Sequence, residues 1–350
     1  MDWQERVLNW YDENKRSLPW RITKDPYKVW ISEIILQQTK VAYGTKYYDV
    51  FIKKFPTIYD LAKANQKTIL NLWQGLGYYN RAINLHQTAK HICKNLEGKF
   101  PTKFDELIKL KGVGDYTASA ISSICFNEKV PVVDGNVYRV LSRYFGIKTP
   151  INHSTSFKIF KTKATELIKD VKSSGDYNQA IMEFGALQCI PKPKCSQCIF
   201  SKECFAFQNH LVDSLPVKLK KKKVKTRYFN YIVLVDKENK TQIVQRDSND
   251  IWNKLYQFPL IESENNVMQF SKSFIKNGLS DYLLLSKQSI KKIKRTNIKH
   301  KLTHQTLYLS FWKVDVNTPI INGVKISDIK NYPFPVPIKN FINDFINAGN

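Results

Sequence analysis

The chain has 350 residues, with 55 Lys and Arg against 30 Asp and Glu, a formal charge of +25, and 43% hydrophobic residues. The charge points outward to a polyanionic partner, the apolar content excludes wholesale disorder, and at roughly 100–200 residues per domain two domains are the natural prior. No run approaches the ~18 apolar residues of a membrane span, and the charged, helical-looking start MDWQERVLNWYDENKR does not read as a signal peptide, so a soluble, intracellular protein is expected. Six cysteines are too few for a secreted disulfide scaffold. Four of them fall between Cys189 and Cys204, which suggests metal ligation in a reducing compartment.

Residues 1 to about 213 read as helices punctuated by Gly, Pro and Asn. Apolar residues spaced three and four apart predict helices over 27–40, 68–73, 82–96, 104–110, 116–123 and 136–145. The basic stretch VKLKKKKVKTR follows, with Lys218, Lys220, Lys221, Lys222, Lys223, Lys225 and Arg227 and no acid between Asp213 and Asp236. It reads as a linker, either a solvated hinge or a segment that contacts phosphate or serves in targeting. Beyond it YFNYIVLVD, QIVQR and LYLSFWKV are β-branched and aromatic runs that predict strands, so the second half is a small mixed α/β domain.

Several residues stand out for their chemistry. In VWISEIILQQTK a single acid, Glu33, lies in an apolar stretch, where desolvation raises a carboxyl pKa toward what a general acid needs near neutral pH; a core hydrogen bond is the plainer reading. Asp134, where PVVDGN meets the start of a helix, reads as an N-cap whose pKa the helix N–H groups lower. One carboxyl pushed up and one pushed down separate an acid from a charge stabiliser, as in glycoside cleavage. Between them LKGVGDYTASAI places Gly112 and Gly114 in a tight turn that suits either a phosphate-holding hairpin or an ordinary helix end. Cys189, Cys195, Cys198 and Cys204 form a C-x5-C-x2-C-x5-C cluster that suits a compact iron–sulfur cubane, with zinc as the alternative, and Lys192 and Lys194 in its first loop could reach phosphates. His300, Thr303 and His304, before a predicted strand, could read a base edge or lie on the surface.

Taken together, LPWR (18–21), DPYKVWISEIILQQT (25–39), GLGYYNR (75–81), LKGVGDYTA (110–118), VDGNVYRV (133–140), NQAIMEFGALQC (178–189), the four cysteines and HKLTH (300–304) resemble the helix-hairpin-helix DNA glycosylases, and within them the adenine-specific glycosylases of the MutY type. The resemblance covers nearly the whole chain. It implies a mainly α catalytic domain over 1–213 containing an iron–sulfur cluster subdomain (189–204), a basic linker (214–227) and a Nudix-like α/β domain (228–350) that senses 8-oxoguanine. The implied activity is base excision repair, in which the N-glycosidic bond of adenine opposite 8-oxoguanine or guanine is hydrolysed.

By that resemblance Glu33 protonates N7 of the flipped adenine and activates water, Asp134 stays ionised beside the sugar, Asn136 orients the acid's water and Tyr116 stands beside Asp134. Trp20, Arg21, Gln179 and Met182 line the adenine pocket, while Gln38 and Tyr78 fill the opened base stack. Gly112 and Gly114 grip the backbone, His300, Thr303 and His304 recognise 8-oxoguanine, and the four cysteines hold one [4Fe-4S] cluster. Where endonuclease III-like relatives carry a nucleophilic lysine this chain has Tyr116, so a monofunctional glycosylase that leaves an abasic site is expected. Glu238, Glu262 and Glu264 are the only glutamates after the linker, too few for Nudix hydrolysis. HKLTH has Leu302 and Thr303 where the family more often has Phe and Ser, and CIPKPKC is one residue shorter than the usual loop, which implies weaker DNA contact or a more labile cluster. The competing readings are an endonuclease III-like glycosylase with lyase activity and a non-catalytic iron–sulfur DNA-binding redox sensor. A monomer acting on double-stranded DNA, in a bacterial cytoplasm and associated with the nucleoid, completes the expectation.

Overall fold

The computed structural model describes residues 2–220, 224–247, 250–269, 290–293 and 298–347; Lys221, Lys222 and Lys223 of the basic stretch lie outside them. The first half is helical: α1 (Trp3–Asn14), α2 (Pro26–Leu36), α3 (Val41–Lys54), α4 (Ile58–Lys63), α5 (Gln66–Leu72), α6 (Asn80–Asn95), α7 (Phe104–Leu107), α8 (Asp115–Phe126), α9 (Gly135–Phe145), α10 (Ser156–Ile168), α11 (Ser174–Leu187) and α12 (Phe205–Gln208). Helix α2 begins where Asp25 accepts the Tyr27 N–H and Pro26 fills the first turn, a position where a missing N–H costs nothing. Every residue from 29 to 35 is buried, so this stretch of α2 has no solvent face and carries Glu33 inside. Periodicity predicts this helix to residue 40, yet it ends at Leu36, because Gln38 adopts a left-handed φ of 57° that stops it. The predicted helix over 104–110 shrinks to α7, since the chain must turn at Gly112, which has a φ of 77° and leaves no room for a Cβ beside Asn84.

The chain divides into two compact units: Met1–Ala64 with Asn84–Lys221, and Asn65–Ile83 with Lys222–Asn350. In the first, the indole of Trp3 donates to Tyr177 Oη at 3.1 Å, and Trp3, Val7 and Trp10 of α1 pack with Val137 and Leu141 of α9, Phe160 of α10 and Phe184 of α11.

The second unit contains β1 (Lys225–Val235), β2 (Lys240–Thr241), β3 (Val244–Gln245), β4 (Tyr256–Gln257), β5 (Leu260–Ser263), β6 (Lys291–Lys292), β7 (Ile298–Lys301), β8 (Gln305–Asp315) and β9 (Val324–Lys325). The main sheet runs β5-β1-β8-β6, with β7 also paired to β8. β1 and β8 are parallel in register from Lys225 opposite Gln305 to Val235 opposite Asp315. Alternation puts Phe229, Tyr231, Leu309 and Phe311 against Phe341 and Phe345 of the C-terminal helix Val336–Asn347, and Ile232, Leu234, Trp312 and Val314 in a second cluster.

These units shift the bounds read from the sequence (1–213, 214–227 and 228–350). Residues 65–83 group with the second unit: Asn71 donates to the Asn331 carbonyl and Gln74 to that of Phe334. The basic segment is anchored at both described ends. The Ile151 N–H donates to the Val217 carbonyl and Leu219 pairs with Asn152, while Lys225–Arg227 already belongs to β1, where Arg227 bonds Asp250 and Glu262.

Candidate active site

A cavity of about 690 Å³ in the first unit gathers residues scattered through the sequence. It is lined by Trp20 and Arg21 from the turn after α1, Glu33 from α2, Tyr116 from α8, Asp134 and Asn136 from the start of α9, and Gln179 and Met182 from α11. All eight residues read as catalytic or pocket-lining thus face one space. Gly185 permits the close approach of α11 to α9, since a Cβ there would fall 2.7 Å from that of Asn136.

Glu33 is 6% exposed, and burial pushes its carboxyl up to about 7, with Asp134 adding to the rise and a hydrogen bond to Tyr116 and the Arg21 charge opposing it. The Tyr116 phenol is raised well above its ordinary value by burial and by the two carboxyls, so it stays protonated; its Oη lies 3.5 Å from Met182 Sδ. Asp134 caps α9 as expected, accepting the Asn136 and Val137 N–H groups at 2.9 and 2.7 Å. Its pKa is nevertheless raised, not lowered as the sequence predicts: burial outweighs those bonds, the Asn136 amide and the Arg139 charge. Asn136 does not turn toward Glu33. Its Nδ2 donates to Asp134 Oδ2 at 2.8 Å and its Oδ1 accepts from Arg139 at 2.9 Å, so it orients Asp134.

Glu183, which sequence reasoning passed over, is the third acid of this cavity, beside Glu33 and Asp134. It is 1% exposed and receives bonds from Arg16 Nε at 2.8 Å and from both terminal nitrogens of Arg21 at 2.9 and 2.8 Å. Burial is overcome by these bonds, and its carboxyl is pulled down to about 2. The signal that singled out Glu33, a lone acid in an apolar helix, was equally present in QAIMEFGAL.

The four cysteines ring a second cavity, of about 30 Å³, walled by Trp3, Phe184 and Phe200. Among the described residues no three His, Cys, Asp or Glu close on a point as a single bare ion requires. The thiols have donors aimed at them: Arg143 Nη1 lies 3.6 Å from Cys189 Sγ and the Phe200 N–H 3.5 Å from Cys198 Sγ. The short Cys189–Cys195 loop does not prevent all four from facing one space. Its carbonyls at Ile190 and Pro191 accept from Arg143, while Lys192 and Lys194 are exposed and outside both cavities.

Gln38 and Tyr78 share an uncommon feature, positive φ (57° and 47°) at a residue other than glycine, and both are exposed. In the second unit the Tyr78 hydroxyl is hydrogen-bonded to that of Thr303, which lies with His304 at the exposed turn between β7 and β8. His300 sits in β7 with its ring 5.9 Å from Trp252, and burial lowers its pKa. Glu238 pairs with Lys240 and Glu262 with Arg227, so two of the three late glutamates are engaged in ion pairs.

Residues 31–165 match the family model described as HhH-GPD superfamily base excision DNA repair protein, and residues 230–344 match a NUDIX domain. The chain is 38% identical over 314 residues to the adenine DNA glycosylase of Buchnera aphidicola subsp. Baizongia pistaciae, covering 87% of this chain and 84% of that one. It is 42% identical over 212 residues to the adenine DNA glycosylase of Homo sapiens, covering 58% of this chain and 39% of that one. Among solved structures, a thermostable thymine-DNA glycosylase superposes with a TM-score of 0.54 at 32% identity, over 59% of this chain and 95% of that one. No helix among the described residues is long and apolar enough to cross a membrane.

Proposed function

The chain belongs to the adenine DNA glycosylase family, a hydrolase of base excision repair with a helix-hairpin-helix glycosylase fold and a Nudix-like domain, and we propose that its substrate is adenine opposite 8-oxoguanine or guanine in duplex DNA. The observation that carries the chemistry is the meeting of Glu33, Tyr116 and Asp134 in one cavity lined by Trp20, Gln179 and Met182.

Breaking the bond between C1′ and N9 requires a neutral leaving base and a stabilised sugar cation. With its carboxyl near 7, Glu33 is partly protonated at neutral pH and gives its proton to adenine N7. Electrons of the C1′–N9 bond leave with the base, and C1′ gains oxocarbenium character beside the Asp134 carboxylate, which Asn136 and the α9 N–H groups hold in place. Water then adds to C1′, and the Glu33 carboxylate takes its proton. The Tyr116 hydroxyl bonds Glu33 and offers no amine for imine formation. Strand cleavage is therefore not part of the reaction, and an abasic site is the product. Glu183 fixes Arg16 and Arg21 along one wall of the pocket.

Gly112 and Gly114 form the turn that holds a phosphate, and Gln38 and Tyr78 enter the opened stack. Lys192 and Lys194 lie on an exposed loop suited to the backbone. The bond between Tyr78 and Thr303, with His300 and His304 nearby in sequence, supports a reading surface for 8-oxoguanine. The four cysteine thiols and the donors aimed at them suit one [4Fe-4S] cluster, which when bound supplies structural organisation to the loop between Cys189 and Cys204. The protein acts as a monomer on the nucleoid of a bacterial cytoplasm.

The test is single-turnover base release from duplexes carrying adenine opposite 8-oxoguanine, adenine opposite thymine, and thymine opposite guanine, with and without alkali. Release from the first alone, with strand breaks only after alkali, is expected. Release of thymine, or breaks without alkali that disappear when cavity-lining Lys40 is changed, contradicts the proposal.

A further inference from the structure

We infer that Lys161 is a positioning residue for DNA binding, which holds the Asp115 carboxylate back along α8 and so keeps the start of that helix open to a backbone phosphate. The inference rests on the reading that the turn at Gly112 and Gly114 grips the backbone.

Asp115 is the first residue of α8, directly after that turn. A carboxylate there competes with phosphate for the same helix N–H groups and repels it. Among the described residues no side chain caps the start of α8, and Asp115 Oδ1 lies 2.7 Å from Lys161 Nζ and 3.4 Å from Ser119 Oγ, one turn along the helix. Lys161 arrives from α10. Its remaining donors reach Ser119 Oγ at 2.9 Å and the Pro131 carbonyl at 2.7 Å, so the three N–H groups of the ammonium have three acceptors. The rings of Phe104 and Phe157 stand 5.4 and 5.9 Å from it and limit its exposure to water. The ion pair therefore neutralises an acid next to the proposed phosphate site, without itself lining the catalytic cavity.

The experiment measures affinity for a fully paired, undamaged duplex, which reports backbone grip without base recognition. Gly114→Ala is the reference variant: with φ of −95° and no atom within 4 Å of an added Cβ, it fits the fold but places a methyl on the turn. Gly114→Ala and Lys161→Gln are each expected to weaken binding about tenfold, whereas Asp115→Asn binds at least as tightly as wild type. Lys161→Arg keeps the charge and the affinity. The deciding variant combines Lys161→Gln with Asp115→Asn: removing the stranded carboxylate restores binding to within about threefold of wild type, which lost packing alone does not allow. A double variant as weak as Lys161→Gln, or full affinity in Lys161→Gln while Gly114→Ala is weak, overturns the inference alone. Full affinity in Gly114→Ala overturns the hairpin reading and the inference with it.

Discussion

Glu33 and Glu183 line the same cavity, both are nearly inaccessible to solvent, and their carboxyls lie at about 7 and about 2. Burial acts on both in the same direction. The difference is the neighbours: Glu183 accepts hydrogen bonds from two guanidinium groups and the Arg16 N–H, whereas Glu33 bonds a neutral phenol, feels the charge of Asp134, and meets Arg21 only through its charge. Burial alone therefore does not make a general acid; burial without a guanidinium hydrogen bond to hold the carboxylate ionised does.

Breaking the Glu33 end gives the largest effect. Glu33→Gln keeps the shape but cannot supply a proton, and single-turnover adenine release should fall by roughly 10²–10⁴-fold while duplex binding persists. Appreciable residual turnover would remove Glu33 from this role. Breaking the other end shows in stability. Glu183 is depressed from 4.5 to about 2 on folding, so it stabilises the fold above pH 4.5 and loses that contribution as pH falls through about 2. Glu183→Gln should therefore cost roughly 3 kcal/mol at neutral pH, measured by denaturant unfolding, and the gap to wild type should close in strong acid.

The same logic reverses for Glu33, whose folded pKa is raised from 4.5 to about 7. Its ionisation destabilises the fold progressively between those values and fully above them. Glu33→Gln should match wild type in stability below pH 4.5 and exceed it by up to roughly 3 kcal/mol above pH 7. A variant that is slower yet more stable in alkali is the signature of an acid held in an unfavourable place for its chemistry. The smallest effect sharpens the middle of the cavity. Asn136→Ala removes one bond to Asp134 and frees Arg139, and should slow release by roughly tenfold without moving the alkaline pH limb, as pH–rate profiles would show.

Much of this was legible in the sequence, because it was written locally. A lone acid in the apolar run of α2 foretold a buried, raised Glu33, and PVVDGN foretold the Asp134 cap. The β-branched and aromatic runs of β1 and β8 foretold these strands. What the sequence hid depends on residues that meet only in the fold. The cap bonds of Asp134 were readable, but the burial that outweighs them comes from helices far along the chain. Glu183 finds Arg16 and Arg21 across more than 160 positions, and Tyr78 finds Thr303 across 225. The left-handed turn at Gln38 has no glycine to announce it.

The most direct measurement of the central claim is the pH dependence of single-turnover adenine release, from about pH 5 to about pH 9. Glu33 must hold its proton and Asp134 must not, so the rate should decline as pH rises through about 7, with a second decline in acid brought closer to neutrality by the raised Asp134 pKa. A rate that stays level well above pH 7 would mean that the buried carboxyl of Glu33 is not the proton donor.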